Sequence, residues 1–225
     1  MIDKKYVAFL EAIVSERRQE LFKEVLNNRT KHFTVAIEDI YQAHNASAVV
    51  RTCDIFGIQD IHVIESKYRF KATNQVAKGA QKWMDFTYYN DYDTNNTKES
   101  IKKLKAEGYQ IVATSPHNES CLLPDFDVTK KSAFFFGVEK EGLSQDVLEA
   151  ADVSLKIPMV GFTESLNISV AAAIILNDVT ARLRATDVDW KLDKDLQDQK
   201  YLEWLEKSIK SIKKIKERYL LEQQD

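Results

Sequence analysis

Residues 33–64 read FTVAIEDIYQAHNASAVVRTCDIFGIQDIHVI. Thr34–Ile37 and Ile61–Ile64 are short β-type runs, and the segment near Ala46–Phe56 between them is helical in pattern. The alternation continues downstream. Strands are expected at Phe86–Tyr89, Gln110–Thr114, Ala133–Phe136 and Val153–Lys156, and a helix over about Thr97–Gly108. Strands interleaved with helices predict an α/β domain around a mainly parallel sheet with helices on both faces. The strand runs are apolar nearly throughout, which fits burial on both faces.

Outside this block the chain is helical. From Tyr6 to Asn28, Val7, Leu10, Val14, Leu21, Phe22 and Val25 recur at mostly helical spacing, with Arg17, Arg18, Lys23, Arg29 and Lys31 around them. They predict one or two amphipathic helices whose basic face is either a solvated surface or an RNA-contacting arm. After Ser165 a long helix runs to about Arg184. An acidic linker (Asp187, Asp189, Asp193, Asp195, Asp198) follows, and then a last helix with Leu202, Leu205, Ile209, Ile212, Ile215 and Tyr219 along a coiled-coil-like seam. The expected organisation is an N-terminal helical extension over 1–32, a central domain over 33–185, and a linker with C-terminal helix over 186–225.

A chain of 225 residues with 44% hydrophobic content can bury a sizeable core. No apolar run is long enough to cross a bilayer, so a cytoplasmic location is expected. Cys53 and Cys121 have no CxxC partner, which points away from a disulfide framework or structural zinc. The net charge of −3 does not announce a polyanion binder; any such partner would meet a local basic patch. No GxGxxG occurs, and Gly137–Ser144 has the glycine spacing of a P-loop without its lysine. What remains is a glycine-bearing turn after the strand AFFFG, at the edge where open α/β sheets bind ligands.

Three segments stand out. Asn45–Gly57 carries Asn45 and Arg51; Phe136–Ser144 carries Gly137 and Glu139; Ile157–Ala173, IPMVGFTESLNISVAAA, runs small polar groups into an Ala-rich helix. Each residue has an ordinary reading. Asn45, Ser165 and Asn167 could cap helices. Glu139 could be a surface carboxylate. Arg51 lies in a largely apolar helix, where a guanidinium needs an anionic partner or a water-filled cleft.

In order and spacing, these segments resemble the three signature motifs of the SPOUT superfamily, specifically the SpoU branch of ribose 2′-O-methyltransferases. The resemblance covers roughly Phe33 to Arg184. It implies a trefoil knot at the C-terminal end of the sheet, S-adenosylmethionine as cofactor without a metal, and a homodimer with its site at the interface. Carried onto this sequence, it implies Arg51, Asn45, Ser165, Asn167 and Glu139 as catalytic residues, and Thr114, Gly137, Ile157, Met159 and Leu166 as the cofactor pocket.

The helical arm on each side of the domain resembles the subfamily that methylates guanosine 18 of tRNA. That implies tRNA as partner, with His44, Arg29, Arg182 and Arg184 as RNA contacts. The alternatives are a related enzyme acting on ribosomal RNA or another tRNA position, and a noncatalytic RNA-binding protein on the same fold.

Overall fold

The structure is a computed structural model that describes residues 2–40, 42–70, 77–115, 121–138 and 141–222. The chain divides into two compact units, residues 30–190 and residues 1–29 together with 191–225.

The larger unit is built on a seven-stranded, wholly parallel sheet. Its strands are β1 (Phe33–Glu38), β2 (Asp60–Ile64), β3 (Asp85–Tyr89), β4 (Gln110–Thr114), β5 (Cys121–Leu122), β6 (Ser132–Phe136) and β7 (Val153–Lys156). Their order across the sheet is β3-β2-β1-β6-β4-β7-β5. Every residue of β1 and β6 is buried, as their largely apolar runs predict for central parallel strands.

The pleat divides the core. Phe33, Val35 and Ile37 of β1 join one buried cluster, and Ala36 joins the other. The helix Ala43–Phe56 and the long helix Ile168–Arg184 pack in the first cluster. Asn96–Ala106 and the short helix Gln145–Ala150 pack in the second. The last of these, and the two-residue β5, fall in stretches whose periodicity is too short to announce an element.

Helix boundaries follow local chemistry. Ala43–Phe56 stops at Gly57, whose φ of 81° is the left-handed conformation that ends helices. Asn95 and Ser144 each accept a backbone N–H in the first turn of the helix they precede.

In the smaller unit, the two N-terminal helices (Lys4–Glu11 and Glu16–Leu26) do not form an arm of their own. Phe22 meets Trp204 edge-on at 5.7 Å, Tyr6 meets Tyr219 at 4.9 Å, and the Tyr201 hydroxyl donates to Glu11 at 2.7 Å. The expected single last helix is two, Lys194–Ser208 and Ile212–Glu222. Ile209 is extended and Ser211 has a φ of 58°, so the chain turns between them. The expected acidic linker is correspondingly shorter, since Asp195 and Asp198 lie in the first of these helices. No helix among the described residues is long and apolar enough to cross a membrane.

Candidate active site

All parallel strands deliver their C-terminal ends to one edge, and neighbouring β1 and β6 are where the chain changes direction across the sheet. Such a switch point leaves a crevice. Around it lie Glu38 at the end of β1, Thr114 at the end of β4, Gly137 after β6 and Ile157 after β7.

A cavity of about 490 Å³ opens here, lined by Thr114, Gly137, Ile157, Met159 and Leu166, all five expected cofactor residues, together with Ser165. The Thr114 hydroxyl is tied down by the Phe135 carbonyl at 2.7 Å. Gly137 is held to glycine by space: a Cβ there would overlap the backbone carbonyl of Gly142 and press on the Leu143 nitrogen. Val138 and Gly142 are held together because the Gly142 N–H donates to the Val138 carbonyl at 2.8 Å, and Gly142 itself has positive φ.

Asn45 is not the cap of its helix. Gln42 occupies that position, and Asn45 sits buried in the first turn, donating to Gln42 Oε1 at 2.7 Å. Its Oδ1 accepts from Asn167 Nδ2 at 3.2 Å, so the first and third motifs touch across 122 positions of sequence. Asn167 is also the cap of the long helix, accepting from the Ser169 N–H at 2.8 Å. The capping and bridging readings are therefore both true of it. Ser165 is exposed at the cavity wall, and its side chain caps no helix.

Arg51 and His44 are exposed, and neither makes a hydrogen bond or ion pair with any described residue. Glu139 lies outside the described residues.

Two expected RNA contacts are placed otherwise. Arg29 is 1% exposed, with its guanidinium over the Trp204 ring at 5.5 Å, so it is part of a helical core. Arg182 is clamped by Asp178 (2.7 and 2.9 Å) and by the carbonyls of Phe126 (2.6 Å) and Leu123 (2.8 Å). It braces the segment before β6 against the long helix. Helical spacing cannot reveal either role, because both depend on groups distant in sequence. Arg184 is exposed and donates to the Phe56 carbonyl at 2.8 Å while lying over Trp190.

Sequence reading missed the side of the crevice built by Glu38 and Asp39. Asp39, at a φ of 54°, accepts three successive backbone N–H groups from Ser66, Lys67 and Tyr68 at 2.7–3.1 Å. A second, more polar cavity of about 780 Å³ lies beyond it. The only sequence signal was an acidic pair ending an apolar strand, which is expensive unless the carboxylates are fully bonded.

Comparison with known families decides the affiliation: residues 32–177 match the model of the SpoU rRNA Methylase family. The chain belongs to the SpoU methylase family. Among relatives of this SpoU methylase is a Borreliella burgdorferi protein named tRNA (guanosine(18)-2′-O)-methyltransferase. It is 39% identical over 92% of this chain and 93% of its own length. Among solved structures, the Aquifex aeolicus TrmH/SpoU tRNA modifying enzyme aligns with a TM-score of 0.76 at 30% identity, over 87% of this chain and 98% of that one. The AviRb SpoU methyltransferase of Streptomyces viridochromogenes, solved in complex with the cofactor AdoMet, shares the fold at a TM-score of 0.58. It is 20% identical over 72% of this SpoU methylase and 65% of that chain.

Proposed function

We propose that this SpoU methylase transfers a methyl group from S-adenosylmethionine to the ribose 2′-hydroxyl of guanosine 18 in tRNA. We read it as a cytoplasmic homodimer with a trefoil-knotted cofactor site. The observation that carries the reading is the convergence of Thr114, Gly137, Ile157, Met159 and Leu166 on one cavity, beside an Asn45–Asn167 contact. The near full-length relative supplies the choice of tRNA position.

The cavity suits the cofactor. Leu143, Leu155, Ile157 and Ile168 offer apolar surface for an adenine ring, and Ser115, Glu164 and Ser165 offer polar groups at its walls. The close Gly137–Gly142 approach keeps backbone, not side chain, at the cradle. When bound, the cofactor supplies a methyl group on a sulfonium centre that departs as a neutral thioether, so no acid is needed for the leaving group.

The demand falls on the hydroxyl. It must lose its proton and be held in line, and its developing negative charge must be met by a donor. Arg51 offers five N–H donors and no acceptor, so its role is to grip phosphate and stabilise the forming alkoxide. Asn45, Ser165 and Asn167 position the ribose beside the cavity. His44 and Arg184 lie exposed for RNA contact.

Exposed apolar side chains support the homodimer reading. Val160 and Phe162 are fully exposed, and Val170 and Ile174, one turn apart on the long helix, are 45% and 39% exposed. Exposed apolar side chains of this kind favour a protein interface. The knot reading has the segment from Ile157 to Asn167 threaded through a chain loop, as the family resemblance implies.

Incubation of purified protein with unmodified tRNA and labelled S-adenosylmethionine, followed by nuclease digestion and mass spectrometry, should place the label on the ribose of guanosine 18. Label on ribosomal RNA alone would overturn the tRNA assignment. Arg51→Ala should lower the rate by about a hundredfold or more, the scale of losing an oxyanion donor, with cofactor affinity retained.

A further inference from the structure

Glu38 is a charged side chain, 3% exposed, that the chemistry above does not use. Its Oε1 accepts from the Thr97 hydroxyl and from the Ser144 hydroxyl, each at 2.7 Å, and its Oε2 accepts from the Ser144 backbone N–H at 2.8 Å. One carboxylate thus joins the end of β1, the first turn of the helix Asn96–Ala106, and the point where the Gly137–Ser144 loop enters the next helix. That loop is a wall of the 490 Å³ cavity through Gly137, Val138, Glu141, Gly142 and Leu143. Its near end is fixed by the close Gly137–Gly142 approach, and its far end is fixed by Glu38.

We infer that Glu38 is a positioning residue that sets the cofactor-cavity wall against the switch point of the sheet. The inference rests on the reading of that cavity as the S-adenosylmethionine site. A buried carboxylate is a costly way to gain stability alone, since apolar groups of similar volume do as well or better. What it offers here is direction: three donors converge on two oxygens in one arrangement.

The hydrogen-bond pattern also separates position from charge. Glutamine can replace Glu38 in one orientation, with its carbonyl oxygen on the Ser144 N–H and its amide donating to the Thr97 and Ser144 hydroxyls, both of which can accept. Alanine can satisfy none of them.

The test uses the full-length protein, with S-adenosylmethionine as calorimetric probe and single-turnover methylation of tRNA at saturating cofactor. Glu38→Ala should weaken cofactor binding by about tenfold or more, the loss expected for bonds to a charged acceptor, and leave the saturated rate within about threefold. Glu38→Gln should restore affinity to within about threefold of wild type, because the Ser144 N–H regains an acceptor and both hydroxyls regain a partner by accepting from the amide. Should Glu38→Ala fail to fold, Ser144→Ala removes one of the three donors, and Glu38→Gln still reads charge against position. Wild-type affinity in Glu38→Ala or Ser144→Ala would overturn the inference. So would normal cofactor binding with lost methyl transfer in Glu38→Gln, which would give the charge a chemical role. If the wild-type chain itself bound no S-adenosylmethionine, the reading of the cavity would fail first.

Discussion

Arg182 and His62 show how much a single side chain's role depends on what surrounds it. Arg182 spends its guanidinium on one carboxylate and two carbonyls of the segment before β6. Arg182→Ala should therefore lower the unfolding free energy by about 1–3 kcal/mol, because the Leu123 and Phe126 carbonyls lose their charged donor. Urea unfolding measures this, and an unchanged midpoint with weakened tRNA binding would restore the RNA-contact role. His62, buried in β2 against the Tyr89 hydroxyl at 3.0 Å, has its pKa pushed down to about 4, chiefly by burial and further by Lys103 and Lys31. Burial shifts His32 in the same direction. The unfolded chain binds the His62 proton first on acidification, so the stability it contributes is full above about pH 6.5 and is lost progressively toward pH 4. Thermal melts across that window should show a shallower pH slope in His62→Gln than in wild type; identical slopes would contradict the assignment.

At the scale of elements, most of the larger unit is legible in the sequence. Gln110–Thr114 and Val153–Lys156 are strands over the expected residues, and β1, β2, β3 and β6 extend theirs by a residue or two. Buried parallel strands announce themselves because both faces must be apolar. The C-terminal helix pair was not legible. Leu202, Leu205, Ile209, Ile212, Ile215 and Tyr219 keep helical spacing straight across the break, so periodicity cannot distinguish one long seam from a chain that turns. Only the docking of Tyr219 on Tyr6 and Phe9, at 4.9 and 5.0 Å, shows why it turns. Ser211 bears the cost with its positive φ, and Ser211→Gly should raise stability by up to about 1 kcal/mol, read as a higher urea midpoint. An unchanged or lower midpoint would mean that the backbone there carries no strain to relieve.

At the scale of the whole molecule, the exposed Val170 and Ile174 on the long helix offer a test of the proposed homodimer. Val170→Glu places a charge where a second copy should bury an apolar side chain. It should yield a folded monomer by light scattering with methyl transfer reduced about a hundredfold, since a desolvated unpaired charge opposes association. A fully active monomer would remove the dimer from the mechanism. The family and the parallel sheet were legible in the sequence, because strand patterning and motif spacing are local properties written in consecutive residues; the five residues that the family resemblance implied for the cofactor share one cavity. Tertiary structure alone decided that Arg29 is buried against Trp204, that Arg182 is a brace, that Asn45 reaches Asn167, and that Glu38 bonds Ser144. Each of these depends on a partner 56 to 175 positions away in the chain, and side-chain identity specifies what bonds a group can make but not which distant group the fold brings to it.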